Sequence, residues 1–239
     1  MISINNLQKR YRGKLVLQIA NLNVSDGEFI GIVGNNGAGK TTLLRLLLDL
    51  IQPDEGEIIA GKTSIFGSDE WKACTGSYLD EAFLIDFLTP EEFFYFVGNA
   101  YGFSKANIDK KLIDYQQFFN NEILGHKKKY IRDYSKGNKQ KIGICSALLI
   151  EPSVLVLDEP FDGLDPRSQS ILRVLLSSYN RKAKATIILS SHDLNHVTEL
   201  SQRIVVIEEG KIVRDMANTE GTFQELEKYF SVDDQTGVL

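Results

Sequence analysis

The residues that most restrict this chain are Gly34-Asn35-Asn36-Gly37-Ala38-Gly39-Lys40-Thr41, which follow the apolar run Phe29-Ile30-Gly31-Ile32-Val33 and lead into a leucine-rich stretch. Strand, glycine loop and helix in that order make a phosphate-binding loop and require a βα unit at this point of the fold. Glycines let successive backbone N–H groups turn inward around an anion, and the helix N-terminus adds its partial positive charge. Lys40 is placed to reach the β- and γ-phosphates of a nucleoside triphosphate, Thr41 to hold Mg²⁺, and Thr42 sits beside them. A plain glycine-rich turn before a helix would need neither Lys40 nor Thr41.

The chain has 239 residues, 43% of them hydrophobic, enough for one large or two small domains with a sizeable core. This is the composition of a soluble globular protein. A formal net charge of -5 argues against a general nucleic-acid binder, and Lys127-Lys128-Lys129 reads as a solvated loop. Cys74 and Cys145 are too few for a disulfide framework and are expected as reduced thiols in the cytoplasm. The start, Met1-Ile2-Ser3-Ile4-Asn5-Asn6, alternates like a strand and indicates no signal peptide. No apolar run approaches bilayer-spanning length, so any work at a membrane needs spanning segments from another chain.

Periodicity predicts strands at 1–7, 14–24 and 29–33, a helix over 40–50 broken by Pro53-Asp54-Glu55-Gly56, then strands at 57–60, 63–66 and 75–79. From about Glu81 to Ile150 the pattern turns helical. Its clearest start is Thr89-Pro90-Glu91-Glu92, where Thr89 caps, Pro90 suits the first helical position and Glu92 closes a capping box. Alternating elements then return: strand 153–158, helix 166–179, strand 185–190, a short helix from Asp193, strand 203–208 and an amphipathic helix 221–230, with the tail after Phe230 frayed. Phe93, Phe94, Tyr95 and Phe96 are mostly core by helical spacing, with some facing outward.

Val154-Leu155-Val156-Leu157-Asp158-Glu159 is an apolar strand ending in two acids, which places carboxylates at a strand's C-terminal end beside the phosphate loop. Asp158 is the expected Mg²⁺ ligand and Glu159 the group that polarises a water for in-line attack on the γ-phosphate. With these motifs in order, about residues 1 to 215 resemble the ATP-binding subunits of ATP-binding cassette (ABC) transporters. Tyr134-Ser135-Lys136-Gly137-Asn138 stands where that family carries its Leu-Ser-Gly-Gly-Gln signature. Asp162-Gly163-Leu164-Asp165 matches its D-loop, ending in Asp165, His192 its switch histidine, and Tyr11 the aromatic that stacks on adenine.

The resemblance implies an α/β fold: a P-loop NTPase, RecA-like core with an antiparallel β subdomain (1–80 and 151–239 together) and an inserted α-helical subdomain (81–150). It implies ATP and Mg²⁺, bound by Tyr11, Gly34, Asn35, Asn36, Gly37, Ala38, Gly39, Lys40, Thr41 and Thr42, with Thr41 and Asp158 at the metal. Lys40, Glu159 and His192 are the catalytic set. It further implies a homodimer or heterodimer of cassettes facing head to tail, with Ser135, Lys136, Gly137 and Asn138 gripping the partner's ATP, and an integral membrane permease on a separate chain. No nucleic-acid partner is expected, and the place of work is the cytoplasmic face of a membrane.

Two departures stand out. The signature's first glycine is Lys136 and its glutamine is Asn138, a variant that looks like exporter-type cassettes; Lys136 is expected to add an electrostatic contact to the partner's ATP. No glutamine lies between Pro53 and Tyr115, so Glu81, in Tyr78-Leu79-Asp80-Glu81, is the positional substitute for the family's Q-loop glutamine. Its carboxylate could still accept from a metal-bound water. A zinc-protease helix is suggested by His192-Asp193-Leu194-Asn195-His196, but His126 is the only other histidine and no third ligand presents itself. The alternative function is a soluble cassette ATPase acting on a protein or nucleic-acid assembly; a nucleotide-gated scaffold fits less well with Lys40, Asp158, Glu159 and His192 all present.

Overall fold

In the computed structural model, which describes residues 1–126 and 128–236, the apolar run is strand β3 (Phe29–Val33), buried at every position. It lies at the centre of a six-stranded sheet of order β10-β9-β3-β8-β7-β6. The others are β6 (Thr75–Tyr78), β7 (Val154–Asp158), β8 (Thr186–Ser191), β9 (Arg203–Glu208) and β10 (Lys211–Ala217). All neighbouring pairs are parallel except β9 with β10. Strands buried on both faces need no polar side, which is why 154–157 and 187–189 read as unbroken apolar runs. A second, four-stranded antiparallel sheet has the order β2-β1-β4-β5, from β1 (Ile2–Tyr11), β2 (Lys14–Val24), β4 (Glu55–Ala60) and β5 (Thr63–Ser64).

Side chains of the central strands alternate between two cores, as a period of two requires. Ile30, Ile32, Val156, Ile188 and Val205 join Leu43 and Leu44 of helix α1 (Lys40–Leu47) and the four-stranded sheet. Phe29, Val33, Leu155, Leu157, Ile187 and Leu189 face the other way, into a core shared with helices. These are α2 (Pro90–Ala100), α3 (Lys105–Asp114), α4 (Gln116–Phe119), α5 (Lys136–Leu149), α6 (Pro166–Ala183), α7 (Leu194–Leu200) and α8 (Thr222–Thr236). Between β6 and β7 the chain is helical, with short 3₁₀ turns at Glu81–Phe83 and Ile131–Asp133. The capping box at Thr89 and Glu92 forms, with Pro90 opening α2. Phe93 and Phe94 are buried, whereas Phe96 is 57% exposed.

Several boundaries differ from the sequence expectation. Strand β1 runs to Tyr11 because Gln8, Lys9 and Tyr11 pair with Gln18, Leu17 and Lys14 across a turn in which Arg12 and Gly13 both have positive φ. Helix α1 stops at Leu47 and does not reach residue 50, since Asp49 takes a left-handed conformation that ends the helical path before Pro53. The expected turn at Pro53-Asp54-Glu55-Gly56 is shorter, because Glu55 already begins β4. Periodicity does not predict strand β10; the positive φ of Glu209 and Gly210 folds it back on β9 as a hairpin. Helix α8 runs past Phe230 to Thr236, its earlier turns held by buried Leu226, an Arg214–Glu225 ion pair of 2.7 Å and the Tyr229 hydroxyl on Glu208; of the tail expected to fray, residues 237–239 lie outside the described residues. Of the lysine triplet, Lys127 lies outside the described residues, and Lys128 and Lys129 are exposed. No helix among the described residues is long and apolar enough to cross a membrane.

The contact that seats α5 on the sheet is made at Gly143. A Cβ built there would lie 2.0 Å from the buried ring of Tyr78 at the end of β6, so only glycine permits this approach. Gly143→Ala is expected to lose about 2 kcal/mol of stability from overpacking, net of the roughly 1 kcal/mol that alanine gains in a helix. Thermal unfolding would show this as a Tm lower by about 5 °C; an unchanged Tm would mean that α5 and β6 do not pack this closely.

Candidate active site

The parallel register brings together residues that are far apart in sequence. Val33 is paired with Ser191, and Asp158 with Ser190, so the C-terminal ends of β3, β7 and β8 are side by side. That edge is where an open α/β sheet leaves a crevice. The glycine loop leaves β3 there and closes tightly. A Cβ at Gly34 would meet the Ile207 carbonyl at 2.2 Å, and Gly39, at φ +110°, turns the chain into α1 in a conformation that side chains with a Cβ rarely adopt.

Asp158 accepts from the Thr41 hydroxyl at 2.6 Å on one oxygen and from the Ser190 hydroxyl on the other. Burial pushes its carboxyl above the usual carboxylate range, while the two hydroxyls and Lys40 pull it back. Lys40, only 5% exposed, donates to the Gly34 carbonyl at 2.7 Å and stands 3.4 Å from Glu159 Oε1. The other oxygen of Glu159 receives the His192 backbone N–H at 3.1 Å and lies 2.9 Å from His192 Nδ1. Lys40 and His192 therefore converge on the Glu159 carboxylate. Sequence reasoning misses Ser190, although Ser190-Ser191 at the end of an apolar strand before His192 is the available signal.

A cleft of about 280 Å³ is lined by Tyr11, Val16, residues 36–42 and Glu159. Tyr11, 44% exposed, thus reaches the loop by virtue of the β1–β2 hairpin. None of residues 135–138 lines that cleft. Ser135 instead caps α5, accepting from the Asn138 N–H at 3.3 Å, and the Asn138 amide donates to Glu122. A Cβ at Gly137 would lie 2.5 Å from the Gly163 carbonyl, and the Lys136 ammonium donates to Asp162 at 2.6 Å. Asp165 caps α6, its carboxyl held below the usual range by hydrogen bonds from Ser168.

A second cleft, of about 240 Å³, holds Glu81 and Lys136 together with Asp158 and Glu159. Glu81 has an ion pair with Lys139 at 3.0 Å. The two histidines of 192–196 do not share a site: His192 faces Glu159, whereas His196 is buried, stacked on Phe161 with ring centroids 4.2 Å apart.

Residues 17–162 match the family described as ABC transporter. The chain is 35% identical to the bacitracin transport ATP-binding protein BcrA of Bacillus licheniformis, over 90% of this chain and 69% of that protein. It is 32% identical to the sulfate/thiosulfate import ATP-binding protein CysA of Pectobacterium atrosepticum, over 88% of this chain and 64% of that one. Among solved structures, the dimeric structure of MJ0796, a bacterial ABC transporter cassette, superposes with a TM-score of 0.82 at 25% identity, covering 92% of this chain and 99% of that one.

His196 generates a pH dependence of stability. Burial lowers its pKa from the ordinary 6.5, against the opposing pull of Asp193. As pH falls through about 6.5 the unfolded chain takes up this proton first, so the stability is intact above that pH and is lost below it. His196→Gln should flatten the fall in Tm between about pH 7.5 and pH 5.5. An equal fall in both proteins would assign the acid sensitivity elsewhere.

Proposed function

Since the chain belongs to the ABC transporter family, as one of its ATP-binding and ATP-hydrolysing subunits, we propose that two cassettes close head to tail around ATP and that hydrolysis reopens them. The strongest support is the grouping of Lys40, Thr41, Asp158, Glu159 and His192 around one crevice. The partner cassette is a second copy or a related subunit. Its residues equivalent to 135–138 would meet the γ-phosphate held here, and Ser135, Lys136, Gly137 and Asn138 would meet its own. A hydroxyl and N–H groups at a helix N-terminus suit that anion. For Lys136 this requires exchanging Asp162 for a phosphate.

Within the crevice, Lys40 would turn from the Gly34 carbonyl to the β- and γ-phosphates, and N–H groups of residues 34–42 would cradle them. Tyr11 would stack on the adenine. Thr41 and Asp158 fit Mg²⁺: both offer oxygen, 2.6 Å apart, and the buried Asp158 carboxyl gains from a cation beside it. Bound there, the metal would neutralise phosphate charge. Glu159 would orient the attacking water, and His192 would fix Glu159 and approach the γ-phosphate. Asp165 would face the partner across the D-loop. Glu81 would stand in for the Q-loop glutamine, linking the crevice to residues 81–150 as an inserted helical subdomain.

The permease is a separate membrane protein, and export is the direction we favour, from the Tyr134-Ser135-Lys136-Gly137 variant. A groove between β6, α2 and α5, lined by Phe83, Leu84, Phe93, Phe96 and Tyr101, offers an apolar seat for a permease segment, with Phe83 and Phe96 47% and 57% exposed. On this reading the subunit works at the cytoplasmic face of the membrane.

Glu159→Gln should hydrolyse ATP at least about 100-fold more slowly and trap an ATP-bound dimer by size-exclusion chromatography. Tagged and isolated from detergent-solubilised host membranes in MgATP, it should bring down a polytopic membrane protein. A monomer in ATP would sink the head-to-tail mechanism, and soluble partners alone would favour a cassette ATPase acting on a soluble assembly. Glu81→Ala should lower kcat about threefold or more while ATP affinity stays within about twofold; wild-type turnover would remove Glu81 from the mechanism.

A further inference from the structure

Glu159 has a backbone φ of +45°, in the left-handed region that residues with a Cβ adopt at a cost. Pro160 follows it and has no N–H to give, so the turn is held by other bonds. On one side the Glu159 N–H donates to Ser190, to its carbonyl at 3.2 Å and its hydroxyl at 3.1 Å. On the other the Glu159 carbonyl accepts the Asp162 N–H at 3.1 Å from within the turn. It also accepts, at 3.1 Å, the side-chain amide of Gln140, which ties this carbonyl to α5.

Gln140 is only 7% exposed, and burial of an amide this deep makes the orientation of its bond a property of the helix that carries it. The neighbouring Lys139 holds Glu81. Two consecutive side chains of α5, little more than a turn from Ser135, therefore touch the main chain of residue 159 and the carboxylate of residue 81.

We propose that Gln140 is a positioning residue for hydrolysis: its amide clamps the Glu159 carbonyl and so aims the Glu159 carboxylate, tying that aim to the position of α5. The inference rests on Glu159 being the group that orients water. Rotating the peptide after residue 159 swings its Cα–Cβ bond, and a shift well under an ångström in a catalytic carboxylate is felt in the rate rather than in ground-state binding. Because α5 begins with the segment that would grip the partner's ATP, a movement of that helix on dimer closure reaches the carboxylate of its own subunit through this amide.

The test uses Gln140→Met, which keeps the length and removes the donor, and Gln140→Glu, which keeps the shape and turns the donor into an acceptor. Steady-state ATPase kinetics should show kcat lowered about tenfold, the size expected for losing one hydrogen bond, with KM for ATP within about twofold. The double variant with Glu159→Gln should hydrolyse ATP no more slowly than Glu159→Gln alone, because Gln140 acts only through Glu159. A kcat within about twofold of wild type in both variants, a rise in KM with kcat unchanged, or a further fall in the double variant would each overturn the proposal. Full turnover by Glu159→Gln itself would instead remove the assignment of Glu159, whatever Gln140 does.

Discussion

Asp158 stands at the end of β7 with one carboxylate oxygen on the Thr41 hydroxyl and the other on Ser190. The ends of β7 and β8 and the start of α1 are thereby tied through one buried side chain. Neither hydroxyl can be dropped cheaply, since a buried carboxylate left without a partner costs about 1–3 kcal/mol or more. The bonds also determine where the loop sits: Thr41 is the second residue of α1, so holding it beside Asp158 holds the helix N-terminus over the crevice.

That anchor sets up a division of labour between adjacent residues. Asp158 is still part of β7 and buried; Glu159, one position on, has left the sheet with positive φ and turns its carboxylate toward Lys40 and His192. The strained backbone separates two acids that are neighbours in the chain into two environments, one buried between two hydroxyls and one open to the cleft. Around them, the central strands β3 and β8 are buried on both faces, whereas α5 and the 159–165 turn meet the site through side chains: Gln140, Lys136 and Lys139.

Much of this is legible in the residues alone. The loop at 34–41, the acid pair at 158–159 and the capping box at Thr89 each carry a local physical signature, and each folds as its pattern predicts. Strand β10 and the distal half of β1 are not legible because their residues are mixed polar and apolar; pairing with β9 and β2, not composition, makes them strands.

The amino-acid sequence by itself determined the glycine loop at 34–41, the acid pair at 158–159 and the family to which the chain belongs, because these depend on residue types at short spacings. Only the tertiary structure decided that Ser190 shares Asp158 with Thr41, that Lys136 lies on Asp162, that Glu81 is held by Lys139, and that Gln140 reaches the Glu159 carbonyl. Those contacts join elements separated by long stretches of chain. Their partners are chosen by strand register and by the seating of α5 against Tyr78, which no short window of sequence contains.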